Sequence, residues 1–186
     1  MSLTPAQLTT LKAAILAETT PVFVTLRQAN DEQGMADYYN ADSGTVVWQT
    51  AVLVSAVQDA VDYTAYTPNG TIDGTAVVTN RMLAAQTKQI NLQLMLQGKT
   101  TLDAKPSRVR TALLDATTNL PTGNNGALQS AAGVDGVRVL NALTRPATRG
   151  ERLYTLSATQ TGSVSAFRLT FEGSITAQNI SDALRA

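Results

Sequence analysis

The chain has 186 residues, enough for one domain whose core needs no disulfide or metal staple. Its 14 basic and 14 acidic residues cancel, and charged residues make up only 15% of the chain. That balance argues against a nucleic-acid binder relying on bulk positive charge, and the absence of His and Cys removes thiol and imidazole nucleophiles, Ser-His-Asp triads and the usual zinc, copper and iron ligand sets. The expectation is a protein that is not an enzyme, with no cofactor and no metal.

The first element is the clearest. Thr4 is a natural N-cap, Pro5 sits where its missing N–H costs nothing, Gln7 can complete a capping box, and Leu3 with Leu8 can form a hydrophobic staple. Leu8, Leu11 and Ile15 share one helical face, and Thr19-Thr20-Pro21 predicts an end near Ala17. Residues 22–44 read mostly as loop, with a short strand over Val22–Leu26 and a helical turn at Gln33–Asn40. The β-branched and aromatic run Val46–Thr50 predicts a strand, and Ser55 a short helix through Val61. Pro68-Asn69-Gly70 and Asp73-Gly74 are turn signals.

From Thr75 to Gln97 the spacing predicts a helix with Leu83, Ile90 and Leu94 on one face and Gly98 placed to end it. A helix opening at Pro106 carries Val109, Ala112, Leu113, Ala116 and Leu120. Gly123-Asn124-Asn125-Gly126 reads as a helix–helix turn, lacking the Lys-Ser/Thr pair of a phosphate loop. Leu128–Thr144 reads as helix despite Gly133 and Gly136, which imply a close crossing or a break. Thr148–Tyr154 gives a short helix and Ser157–Ser165 a loop. Ala166–Glu172 alternates as a strand with Phe167, Leu169 and Phe171 on one face, and Thr176 caps a last helix bearing Ile180, Ala183 and Leu184. The sum is a mainly α (α+β) fold: one helical bundle-like domain over residues 1–186 with a minor sheet or hairpin, in which the strands near Trp48 and Phe167 pair.

Ala and Thr number 27 each, which reads either as a core of small side chains whose burial neighbouring subunits complete or, equally, as a compositional bias inherited from a GC-rich genome. Residues 1–80 carry a net charge of −6 and residues 81–186 one of +6, an acidic N-terminal and a basic C-terminal half. Such a division suits a ring subunit whose neighbour meets it with opposite charge, and equally a mixed surface. Asp59 and Asp62, three apart, are a weak acid–base or metal signal and read best as a solvated face. Arg138, Arg145, Arg149 and Arg152 form the densest basic stretch, without the interleaved aromatics of a nucleic-acid surface, and read as inter-subunit salt-bridge or helix-dipole residues. No basic segment precedes an apolar run near the amino terminus, and no apolar stretch approaches the roughly 20 residues of a spanning helix.

Three groups of segments in this order, SLTPAQLTTLKAAILA, then VVWQT followed by VQDAVDY, then ATRGERLYTL with RLTFEGSIT and ISDAL, resemble a group of small structural proteins of tailed bacteriophages and prophages. The matching segments cover about a third of the chain, and none is a catalytic motif. The resemblance implies a virion component, assembled in the host bacterial cytoplasm. A neck or head-to-tail adaptor would form a homo-oligomeric ring beneath the portal, with portal and tail proteins as partners, passive contact with packaged DNA and no membrane. A capsid-decorating or tail-fibre-attaching protein and a non-structural binding module are the alternatives. Arg149, Arg152, Phe167, Leu169 and Phe171 are the expected assembly contact, on the view that the last three line an edge strand; the alternative is that they pack on the subunit's own helices. On the first view, deleting residues 165–186 leaves a folded protein that no longer enters particles.

Overall fold

A computed structural model describes residues 2–66, 76–118, 120, 134–161 and 164–186. The turn signals at 68–74 and the loop at 123–126 lie outside the described residues. The fold is mixed α+β and predominantly helical. The chain divides into two compact units. The first comprises residues 1–47, 146–159 and 166–186, and the second residues 48–145 and 160–165. The first unit holds six basic and eight acidic residues and the second eight and six, so the steep charge difference between sequence halves is largely mixed away within each unit.

In the first unit, α1 (Pro5–Ala17) starts as its sequence requires: Thr4 Oγ1 accepts the Gln7 N–H at 3.3 Å, and Gln7 Oε1 accepts the Thr4 N–H at 2.9 Å. Leu3, Leu11 and Ile15 are buried, with Leu8 packed beside them. Thr4→Ala should therefore cost about 1 kcal/mol, read as a lowered midpoint in a thermal or urea melt.

The predicted strand at Val22–Leu26 is instead a helix, α2 (Pro21–Gln28). Alternation would have put Val22 on the same face as Leu26. In the structure Val22 is exposed, whereas Phe23 is fully buried and Leu26, three residues on, packs on the same core. Pro21 in the first turn pre-sets the helical φ, and the burial of Phe23 outweighs the strand preference of the flanking β-branched residues. α3 (Glu32–Asn40) is capped by Asp31, whose carboxylate accepts the Gly34 N–H at 2.8 Å, and it buries Met35, Ala36 and Tyr39.

The strand β1 (Asp42–Trp48) begins earlier than predicted. β4 (Thr144–Thr148) and β5 (Thr155–Thr161) fall where a helix end and a loop were expected, and β6 (Val164–Leu169) completes a sheet of order β4-β1-β6-β5. β1 and β6 pair, as the sequence predicted for the strands near Trp48 and Phe167, and they run parallel with Val47 opposite Phe167. α9 (Ala177–Arg185) is capped reciprocally by Thr176 and Asn179 and buries Ile180 and Ala183.

In the second unit, β2 (Val52–Leu53) pairs antiparallel with β3 (Thr101–Leu102), and α4 (Val54–Asp59) buries Val54 and Val57. α5 (Ala76–Leu96) has nearly the predicted extent, and the face shared by Leu83, Ile90 and Leu94 is turned outward. Leu83, Ile90 and Leu94 are 55%, 53% and 63% exposed, while Ala85, Leu92 and Leu96 are buried. The two stripes share one spacing and are offset by two residues, about 200° around a helix, so the pattern alone could not choose between them. α6 (Ser107–Thr117) buries Leu113 and Ala116, leaves Ala112 exposed, and buries Arg110 where no charge was expected. α7 (Val134–Ala142) packs on α6 at Gly136, where a Cβ would lie 2.5 Å from Thr118 Cγ2, the close crossing that glycine implied.

Candidate functional site

The expected contact residues separate into two groups. Leu169 is buried with Val47 and Ala147, and Phe167 is half-buried against them. Phe171, past the end of β6, packs edge-on to Tyr154 with centroids 5.3 Å apart. β6 lies between β1 and β5, so it is an interior strand and offers no edge. The reading of Phe167, Leu169 and Phe171 as an exposed contact is thereby corrected: in a chain with so few aromatics, these side chains are needed by the unit's own core.

Arg149 and Arg152 remain at the surface, on the single-turn helix α8 (Arg149–Arg152). A capping box holds that turn: Thr148 Oγ1 accepts the Glu151 N–H and Glu151 Oε2 accepts the Thr148 N–H, both at 3.1 Å. Glu151 Oε1 accepts the Gly173 N–H as well, which fixes the buried carboxylate on both sides. Gly150 lets α8 approach closely, since a Cβ there would sit 2.6 Å from Ile175 Cγ1 and 3.3 Å from the Tyr39 carbonyl.

The two arginines line a cleft of about 390 Å³ with Glu18, Tyr38, Tyr39 and Ser43. The Arg149 guanidinium lies 4.2 Å from the Tyr38 ring centroid, a cation–π contact that fixes its plane while its N–H donors stay available. Neither arginine is ion-paired among the described residues. Glu18, the one acid in the cleft, accepts the hydroxyl and N–H of Thr20, which hold its carboxyl below the usual carboxylate range. Thr20 Oγ1 is also within 3.1 Å of the Tyr38 hydroxyl, so Glu18, Thr20 and Tyr38 form one network beneath Arg149.

Below the cleft, Phe23, Tyr38 and Tyr39 form an aromatic cluster with centroids 4.7 to 5.6 Å apart. Burial suppresses the ionisation of the Tyr39 hydroxyl, pushing its pKa well above the usual tyrosine range, and the hydroxyl has no hydrogen-bond partner among the described residues. Burial also pushes Tyr154 up to about 12, with its hydroxyl donating to the Gln7 carbonyl at 2.9 Å. The platform under the arginines is hidden in the sequence, because a strand over Val22–Leu26 would not bring Phe23 against Tyr38 and Tyr39 as α2 does.

No family model, curated protein or solved structure matches the chain. The site therefore stands on its own geometry, that of a cleft lined by two arginines over an aromatic cluster. Arg138 and Arg145 belong to the second unit, where both have partners. Asp59 ends α4 and Asp62 follows it, both exposed. Hydrogen bonds from the Thr64 hydroxyl and N–H, with a smaller contribution from Arg138, hold the Asp62 carboxyl below its ordinary value. Among the described residues no group of three His, Cys, Asp or Glu side chains is placed to hold a metal ion, and no helix is long and apolar enough to cross a membrane.

Proposed function

We propose that the chain is a structural component of a tailed-bacteriophage particle, an adaptor of the neck or head-to-tail connector whose copies form a ring under the portal. The observation that carries this reading is α5. Its buried stripe already packs the second unit, yet Leu83, Ile90 and Leu94 repeat that stripe on the exposed side. Large apolar side chains left in a row on an exposed helix face mark an interaction surface, and here a neighbouring subunit is what can cover it. The order of segments shared with small phage structural proteins, and a cleft built for charge recognition, support the same conclusion.

On this reading the protein is not an enzyme and uses no cofactor. Its partners are further copies of itself and the portal and tail proteins, DNA passes it without specific contact, and it is assembled into the virion in the host cytoplasm. The helices act as a bundle-like body on a minor sheet. Replacing Leu83, Ile90 and Leu94 together by Gln, a good helix former, should leave the melting temperature of the isolated chain within a few degrees, because exposed positions contribute roughly 0.5 kcal/mol or less each. The same variant should be lost from particles, as measured by mass spectrometry of purified virions. Normal incorporation would overturn the reading.

A further inference from the structure

We infer that the Arg149/Arg152 cleft receives the Asp59/Asp62 pair of a second copy of this chain, in a head-to-tail contact between neighbouring subunits. The inference rests on the reading of the chain as an assembly subunit and names the chemistry of its joint. On the receiving side, two guanidinium groups stand three residues apart on one turn, α8, and so share a face. Tyr38 fixes the first in plane, and the second is exposed; neither is ion-paired among the described residues. The only carboxylate in the cleft, Glu18, is already engaged by Thr20.

On the donating side, two carboxylates stand at the same spacing of three, both exposed, at the end of α4. Asp62 accepts the Thr64 N–H and hydroxyl through Oδ1 and feels the Arg138 charge more weakly, and Asp59 has no side-chain partner among the described residues. Planar guanidinium forks match carboxylates two bonds at a time, so a pair of arginines facing a pair of carboxylates is complementary in charge. The two surfaces differ, which makes the contact heterologous, and a heterologous contact builds a ring when its rotation closes.

Sedimentation velocity of the full chain at low salt tests the pairing. The unmodified chain should sediment as an oligomer. One variant carries Arg149→Glu with Arg152→Glu, the other Asp59→Lys with Asp62→Lys, and each alone should sediment as a single chain with unchanged circular dichroism. An equal mixture of the two should recover the oligomer, because each variant then offers the charge that the other lacks. That recovery cannot come from misfolded protein, and Arg152→Glu by itself, at an exposed position, should weaken the oligomer without touching the Tyr38 platform. If the unmodified chain assembles and the variants assemble equally well, or the mixture fails to recover, the pairing is wrong while the adaptor reading stands. A chain that remains single at every concentration and also ignores portal overturns both.

Discussion

Deletion of residues 165–186 is expected to unfold the first unit rather than to yield a folded chain with one missing contact. The segment supplies β6, which has a neighbour strand on each side, and with it Leu169, Phe171, Ile175, Ile180 and Ala183, all buried. It also carries a paired hydrogen bond that ties it to α3, since the Asn40 side chain donates to the Ile175 carbonyl and accepts the Ile175 N–H, each at 2.8 Å. At about 1.5–3 kcal/mol for each large apolar side chain, the loss is of order 10 kcal/mol, comparable to the whole stability of a typical domain at about 5–15 kcal/mol. Circular dichroism and limited proteolysis of the truncated chain should show loss of helix and rapid cleavage throughout residues 1–47. A truncation that keeps native helicity and protease resistance would show that the strand and the last helix are appendages after all.

The second large effect is expected at Arg110, buried in α6 with its guanidinium 4.4 Å from the centroid of the fully buried Trp48 ring. The same group donates to the carbonyls of Ala104 and Lys105, closing the loop that leads into the helix. Arg110→Ala removes a desolvated cation–π contact worth about 2 kcal/mol and hydrogen bonds from a charged donor worth about 1.5–3 kcal/mol. It also leaves two carbonyls short of a partner and opens space beside the ring. The expected destabilisation is roughly 3–5 kcal/mol. The chain has one tryptophan, so urea unfolding followed by its emission reports on this site directly, and the variant should also show a red-shifted native spectrum as water reaches the ring. Arg110→Met, which keeps much of the stem, should recover part of the loss. Equal stability of Arg110→Ala and the unmodified chain would mean that the buried charge contributes nothing net.

What could be read from the sequence follows from where the information is local. The caps at Thr4 and Thr176 are legible because a capping box is written within four residues, and both are present as hydrogen bonds. The Thr148–Glu151 box is of the same kind and makes the short helix under the two arginines. The pairing of β1 with β6 is suggested by two aromatic-containing β-type runs far apart in the chain, although their parallel direction is not. Legibility fails where two solutions share one pattern. α5 has two equivalent apolar stripes, and only its packing within the second unit, on α6 and on residues 63–66, decides that Ala85, Leu92 and Leu96 face inward. α2 carries β-branched residues that favour a strand locally, but Phe23 finds its place with Tyr38 and Tyr39 only as part of a helix. Burial of Arg110 cannot be inferred from an arginine in an amphipathic helix, because its partners are an indole and two carbonyls brought in by the fold. The candidate site was half legible for the same reason. The arginines are marked by a cluster in sequence, whereas the platform that orients Arg149 comes from α3, more than one hundred residues away.

Mass spectrometry of purified particles, combined with averaged images of the same particles, tests the central claim most directly. The account predicts that the chain is present in many copies and that its density forms a ring between portal and tail, with α5 against a neighbouring subunit. Particles that are complete and infectious without the chain, or density for it placed away from the neck, would contradict it.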